Sequence, residues 1–385
     1  MISHIIGTGI ISAIGRNLAE NSVSLFAEGN PVPKLPTRFK TDLQNPVFEI
    51  QGFHAVEDRP GGVSVQLLEV ALDEALASAN INREELRGKR VGVAIGTTVA
   101  CQLNNIPFYE TLRSGKLPDS KPFVNYVNGM PAEYIRRILQ LEGPAITVSN
   151  ACSSGADAIG IAHLWLSKGL CDIAIAGGTD EINKVPYDGF NALGVCSSAP
   201  CRPFDAERSG LNLGEAAGVI IMSRKDDGRS VCGVAGFGKA ADAFHITQPA
   251  PDGRGLRRAI SQALGNLSPQ NIAFINAHGT GTLANDATEA AVFADLFGTD
   301  VLFNSTKGRT GHTLGAAGAI EAVFTAIMLE KRVVAKSWGF QKRPEEFKVS
   351  PVIENTTLGN SEYALSTSLA FGGSNTVLLL KRCKL

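Results

Sequence analysis

Short apolar runs alternate along the chain with longer stretches of helical apolar spacing. "RVGVAIGT", "AITVSN", "IAIAGG" and "AGVIIMS" read as strands, and "SVQLLEVALDEALASA" and "AEYIRRILQLE" as helices. A polar, Gly-containing stretch, "RKDDGRS" at residues 224–230, interrupts the pattern, which then restarts. "VCGVAGFG" is a strand, "GRGLRRAISQALGNL" a helix and "IAFINAHGTGT" a strand entering a loop. "DATEAAVFADLF" (helix), "VLFNSTKG" (strand), "GAAGAIEAVFTAIMLEK" (helix) and the closing strand pair "YALSTSLAFGGSNTVLLLK" follow. Continuous rather than alternating apolar strands predict an α/β protein with sheets buried on both faces. The similar order of elements before and after the interruption predicts a duplicated α/β unit, residues 1–228 and 229–385, although no residue-level repeat is visible. The Pro-rich segment "GNPVPKLPTRFKTDLQNPVFEIQGF", "EDRPGG" and "SGKLPDSKPF" lack periodicity and are expected on the surface.

Composition narrows the function. With 385 residues, of which 44% are hydrophobic and 19% charged, the chain can bury a large core. A formal net charge of −1 and the lack of a long basic run give no footprint for nucleic acid or a membrane surface. No apolar run reaches the ~18 residues of a membrane helix. "MISHIIGTGIISAIG" has no basic leader or cleavage site and reads as a first strand. Seven cysteines without a CxxC pair argue against a disulfide framework or zinc site and for a reducing cytoplasm.

Four stretches carry candidate chemistry. In "TVSNACSSGADAIG" a strand runs through Cys152 into a helix. The thiol is either a buried core residue or a nucleophile at a helix N-terminus, where unpaired N–H groups and the dipole favour a thiolate. In "INAHGTGTLANDATEA", His278 ends a strand, and Thr280 and Thr282 offer hydroxyls to a polar ligand arm; a structural histidine reads equally from the segment alone. In "NSTKGRTGHTLGAAGAIEA", Lys307 and His312 flank a turn, and Glu321 falls near the same helix face, placed to orient either. The small residues after His312 point to close helix packing. In "STSLAFGGSNTVLLL", Phe371 leads a Gly turn, which is an ordinary hairpin or a swinging side chain with its N–H aimed into a site. Together these groups suffice for acyl transfer through a thioester.

Taken in order, the four stretches resemble the signature segments of the β-ketoacyl-[acyl-carrier-protein] synthases, in the elongating branch with a Cys-His-His set. "CRPFDAERSGLNLGEAAG" (residues 201–218) and "GFGKAADAFHITQPAPDG" (residues 236–253) are similar to two further family segments. The resemblance runs from "IIGTGIISAIG" to "FGGSNTVLLL". It implies a thiolase-like fold, two α/β halves stacked in five layers, α-β-α-β-α, and a dimer, homomeric or with a related synthase subunit.

The implied reaction is a decarboxylative Claisen condensation of an acyl-enzyme with malonyl-acyl-carrier protein, in fatty-acid or specialised polyketide or polyene synthesis. The alternatives are a non-catalytic chain-length partner or another thioester acyltransferase of the fold. Cys152 would take the acyl chain from an acyl carrier protein, with the N–H groups of Cys152 and Phe371 as oxyanion hole. His278 and His312 would stabilise the enolate. Lys307, with Glu321, would position His312. Thr280, Thr282 and Thr247 would hold the phosphopantetheine arm, which arrives on the carrier protein, so no metal or other cofactor is expected. Phe371 would gate the site, and the acyl tail would run along residues 104–108 and 126–130. Asn276, Glu289, Glu321, Ser366 and Asn375 match a buried cation site of relatives. Departures are Leu211, where an aromatic residue is usual, Ala216, and Pro118, Asp119 and Ser120, where basic residues are common.

Overall fold

The computed structural model describes residues 1–29, 31–57, 59–98, 106–226, 228, 230 and 232–383. Its first half runs β1 (Ser3–Ser12), α1 (Leu18–Phe26), α2 (Gly62–Ser78), β2 (Val91–Gly96), α3 (Ile106–Arg113), α4 (Lys121–Asn128), α5 (Pro131–Ile138), β3 (Ala145–Val148), α6 (Ser154–Ser167), β4 (Ile173–Asp180), α7 (Lys184–Ala192) and β5 (Ala216–Ser223). The second runs β6 (Cys232–Ala241), α8 (Arg254–Leu264), β7 (Ile272–Asn276), α9 (Leu283–Phe297), β8 (Phe303–Asn304), α10 (Lys307–Thr310), α11 (Ala317–Lys331), the short pair β9 (Val333–Val334) and β10 (Thr356–Thr357), β11 (Tyr363–Ala370) and β12 (Ser374–Arg382).

The strands of each half repeat one topology. Counted outward from the centre, the orders are β1-β5-β4-β2-β3 and β6-β12-β11-β7-β8. In both, the first two pairings are antiparallel and the last two parallel. The two sheets join where Ser3–Ile5 of β1 pair with Cys232–Val234 of β6, so the β layers are hydrogen-bonded to each other as well as stacked. Between them lie α6 and α11, whose core positions pack against strands of both sheets. Helix α2 covers the outer face of the first sheet and α8 that of the second.

Packing reveals a residue-level repeat that the letters conceal. A β-carbon at Gly9 of β1 would lie 2.0 Å from the Ala71 carbonyl oxygen of α2, and one at Gly7 2.3 Å from that of Ala75. In the second half, Gly238 of β6 meets the Ala259 carbonyl of α8 at 1.9 Å and Gly236 that of Ala263 at 2.1 Å. Both halves therefore seat the outer helix through a Gly-x-Gly strand and two alanines four residues apart. No larger side chain fits at this approach.

The middle layer is equally tight. Every residue of α11 from Ala317 to Leu329 is buried, as expected for a helix enclosed on all sides. A β-carbon at Gly318 would stand 2.7 Å from Ala156 Cβ of α6, and one at Gly155 2.7 Å from the Gly315 carbonyl oxygen.

Two expectations change. The Pro-rich excursion is anchored rather than superficial. Val47, Phe48 and Ile50 are buried, and the Phe48 N–H bonds the Leu213 carbonyl at 2.8 Å. Arg38 pairs with the fully buried Glu215. The "SGKLPDSKPF" excursion ends at Lys121, where α4 begins.

Gly318→Val should lower unfolding free energy by about 1–3 kcal/mol through overpacking, read as a lower denaturant midpoint.

Candidate active site

Strand β3 ends at Val148, and Asn150 and Cys152 bridge across the intervening residue. Ala151 takes a left-handed conformation, φ +48°, unusual for a residue with a β-carbon. This sharp elbow sets Cys152 just ahead of α6, only 4% exposed. The backbone N–H groups of Phe371 and of Cys152 itself lie close enough to the sulfur to favour its thiolate. Burial pushes the thiol up to about 12; Lys307 and the two amides pull it down, while Asp180 raises it further. Desolvation thus works against the thiolate that the helix N-terminus favours.

Phe371 belongs to the turn between β11 and β12, where Gly372 and Gly373 have φ of +83° and +76°. Its ring stacks on Phe190 of α7, centroids 5.3 Å apart. Phe190 also stands edge-on to His312 at 6.2 Å.

His278 leaves the end of β7, its backbone N–H donating to Glu289 Oε1 at 2.9 Å and Thr367 Oγ1 at 3.0 Å. Lys307 Nζ donates to His278 Nδ1 at 3.3 Å and pairs with Glu321 Oε1. The Leu314 N–H donates to His312 Nδ1 at 3.1 Å. With each Nδ1 accepting, each neutral ring carries its proton on Nε2. The two rings lie perpendicular, centroids 5.2 Å apart. Both imidazoles are held well below the ordinary 6.5, chiefly by burial and then by Lys307, with His312 adding to the effect on His278.

A cavity of about 340 Å³ brings together Cys152, His278, His312, Thr280, Thr282, Thr247 and Phe371. The Thr280 and Thr282 hydroxyls are 2.9 Å apart. Lys307 and Glu321 lie behind this wall. The expectation that they position His312 is corrected: Lys307 reaches His278. Burial raises the Glu321 carboxyl to about 7, against the pull of Lys307.

The acyl-tail segment falls partly outside the described residues. Residues 104 and 105 lie outside them, and Phe108 and Tyr126–Met130 do not line the cavity. Its apolar wall is Phe190, Leu193, Val195, Leu211 and Leu369. Phe190 was missed because only tertiary packing brings α7 to the site.

Among the described residues no group of three or more His, Cys, Asp or Glu is placed to hold a metal ion. Of the five residues matched to a cation site, Asn276 Oδ1, Glu321 Oε2 and Ser366 Oγ are buried without a hydrogen-bond partner and fit a small cation. Glu289 is engaged by the His278 and Gly279 N–H groups, and Asn375 by Asp242.

The histidine environment has a measurable consequence. Unfolded imidazoles take up protons below 6.5 that the folded ones refuse, so folding loses stability as pH falls below that value. NMR of the imidazole nitrogens should show both rings neutral, Nε2-protonated and non-titrating through 6.5. In Lys307→Ala, Glu321 loses its buried counter-charge, and stability should fall by about 3–5 kcal/mol in chemical unfolding.

Comparison with known proteins agrees with this geometry. The family model "Beta-ketoacyl synthase, N-terminal domain" matches residues 49–228, and "Beta-ketoacyl synthase, C-terminal domain" matches residues 231–341. The 3-oxoacyl-[acyl-carrier-protein] synthase 2 of Synechocystis sp. is 32% identical, over 98% of this chain and 97% of its own. Among solved structures, the ketosynthase ApeO of Xenorhabdus doucetiae, in complex with its chain length factor ApeC, superposes with a TM-score of 0.86 at 29% identity, covering 99% of this chain and 98% of that one. The ishigamide ketosynthase/chain length factor gives a TM-score of 0.91 at 27% identity, covering 100% of this chain and 99% of that one. The duplicated α/β architecture, the cysteine elbow facing two Nε2-protonated imidazoles, and family matches across both halves agree: the chain belongs to the β-ketoacyl synthase family, with the thiolase-like fold.

Proposed function

We propose that this protein elongates acyl chains by decarboxylative Claisen condensation, in fatty-acid or polyketide synthesis. The observation that carries the reading is one cavity in which two backbone amides meet the Cys152 sulfur and two neutral imidazoles carry their protons on Nε2. In the first stage Cys152 Sγ attacks the thioester of an acyl carrier protein. The carbonyl oxygen takes negative charge between the Cys152 and Phe371 amides, a donor pair in which each is worth about 3 kcal/mol. Collapse expels the phosphopantetheine thiolate, which leaves with the thiol proton.

In the second stage malonyl-carrier protein enters, its arm along Thr280, Thr282 and Thr247. Carbon dioxide leaves and its bonding electrons form an enolate, whose oxygen accepts from His278 and His312 Nε2–H. The carbanion attacks the acyl-Cys152 carbonyl, and the cysteine thiolate departs and regains a proton. The product is a 3-oxoacyl chain two carbons longer. Lys307 keeps His278 Nδ1 an acceptor and so holds its Nε2 proton in place. The chemistry draws on the carrier-borne phosphopantetheine and on no other cofactor.

Partner assembly follows from the sheet edge. Strand β3 ends the first sheet, and its Ile146 is 39% exposed. Phe123, Val124 and Val127 of α4 are exposed too. We assign this face to a second synthase subunit, a copy or a chain-length relative, because the chain-length-factor complexes of the structural neighbours supply a partner of that type.

Intact mass after incubation with acyl-carrier-protein thioesters should show a chain-sized adduct that Cys152→Ala abolishes. His278→Ala and His312→Ala should keep the adduct and lose at least about 100-fold in malonyl decarboxylation. Absence of any adduct, with or without a partner subunit, would overturn the reading. Separately, Ile146→Asp with Val127→Asp should convert the dimer to a monomer in sedimentation velocity; an unchanged dimer would place the interface elsewhere.

A further inference from the structure

The residue before the elbow is a polar side chain that none of these steps uses. Asn150 does not line the cavity, and its carboxamide enters a polar network that includes the lining residue Ser374. Its Nδ2 lies 2.6 Å from Asp157 Oδ2, 2.9 Å from Ser153 Oγ and 2.9 Å from Ser374 Oγ. Two N–H bonds are thus shared over three acceptors. Asp157 is fully buried, and Lys239 of β6, 44% exposed, supplies its charge partner at 2.6 Å. Thr376 of β12 donates to the other oxygen, Oδ1, at 2.6 Å. The carboxylate therefore gathers α6, β6 and β12 around one amide.

The contact with Ser374 has the largest consequence. Ser374 opens β12, three residues beyond Phe371 in the Gly turn. Asn150 lies two residues before Cys152, and its own N–H donates to Ser154 Oγ at 2.8 Å. One carboxamide thus bridges the two segments whose amides meet on Cys152 Sγ. Those segments come from different halves of the molecule. Both are conformationally demanding: Ala151 has φ +48° on one side, and Gly372 and Gly373 have φ +83° and +76° on the other. Each has ties of its own, the Gly372 N–H to the Ile246 carbonyl at 2.6 Å and Ser154 Oγ to that of Ala151 at 2.7 Å, and the carboxamide joins one held segment to the other.

We propose that Asn150, held by the buried Asp157–Lys239 pair and bonded to Ser374, is a positioning residue that sets the Cys152 and Phe371 amides at the spacing an oxyanion needs. The inference rests on the reading of Cys152 as the acyl-accepting nucleophile. It assigns Asn150 to the acylation and condensation transition states and not to decarboxylation, which the histidines serve.

The test separates a loose oxyanion hole from a damaged elbow. Asn150→Ala, Ser374→Ala and the double variant are assayed for transfer of butyryl, octanoyl and dodecanoyl groups from acyl carrier protein. The same proteins are alkylated with iodoacetamide across a pH series, and rates are compared at equal thiolate fraction, so that they report access to Cys152 and not the pull of the amides on its proton. Each single variant should slow acyl transfer about tenfold, a fraction of the loss of a whole donor. The double variant should be no slower than the worse single one, since both break the same tie. Alkylation and malonyl decarboxylation should stay within about twofold of wild type, and Ser374→Thr, which keeps the hydroxyl, should restore transfer. Should a single variant fail to fold, Lys239→Met, which loosens the Asp157 carboxylate from a partly exposed position, gives the same readout. Wild-type transfer rates in the singles, additive losses in the double, or an equal fall in alkylation would overturn the proposal. If the wild-type protein itself takes no acyl group, the nucleophile assignment fails instead.

Discussion

The close approach of α6 and α11 is the constraint on which the rest of the molecule depends. Gly155 and Gly318 leave no room for a β-carbon, so each helix lies nearly backbone to backbone on the other. That contact fixes where both helices begin, and both begin at the cavity. Cys152 precedes α6 and His312 precedes α11. Widening the middle layer would separate Cys152 from His312. Core packing and catalytic geometry are here one property.

Around that contact the site is assembled from chain ends of strands. His278 leaves β7, Phe371 leaves β11 and the elbow leaves β3. Rigid strands aim the loops, and buried polar groups hold them. Glu289 clamps the His278 and Gly279 amides, Asp180 accepts from the Gly315 N–H at 2.6 Å, and Asp157 gathers Asn150 and Thr376. Each of these carboxylates is buried and met by several donors, the arrangement that makes a buried charge tolerable. The cavity wall itself is mostly apolar around a few polar atoms, as suits an acyl thioester.

Much of this was legible in the letters. Cys152, His278, His312 and Phe371 each sit where an apolar run gives way to Gly or small residues, and all four line one cavity. What local pattern carries is position along a strand or helix. What it lacks is which loop meets which. Hence Lys307 was paired with the nearer histidine in sequence when it touches the more distant one, and Phe190 went unseen. The residue-level repeat escaped because it consists of glycines and alanines whose role is to be small. The anchored Pro-rich segment was misread because irregular backbone with buried side chains has no period to detect.

The repeated topology puts Cys152 and His312 in corresponding places, each in the joint between the outermost strand of its half and the central helix that follows. Two separate copies of a single unit, related by a twofold axis, would be obliged to carry the same residue at both joints. Such an assembly would hold two thiols or two imidazoles, and neither pair performs both transfer and decarboxylation. Joining the units in one chain removes that obligation. The pairing of one thiol with one imidazole is thus a broken symmetry, made available by joining the two units in one chain.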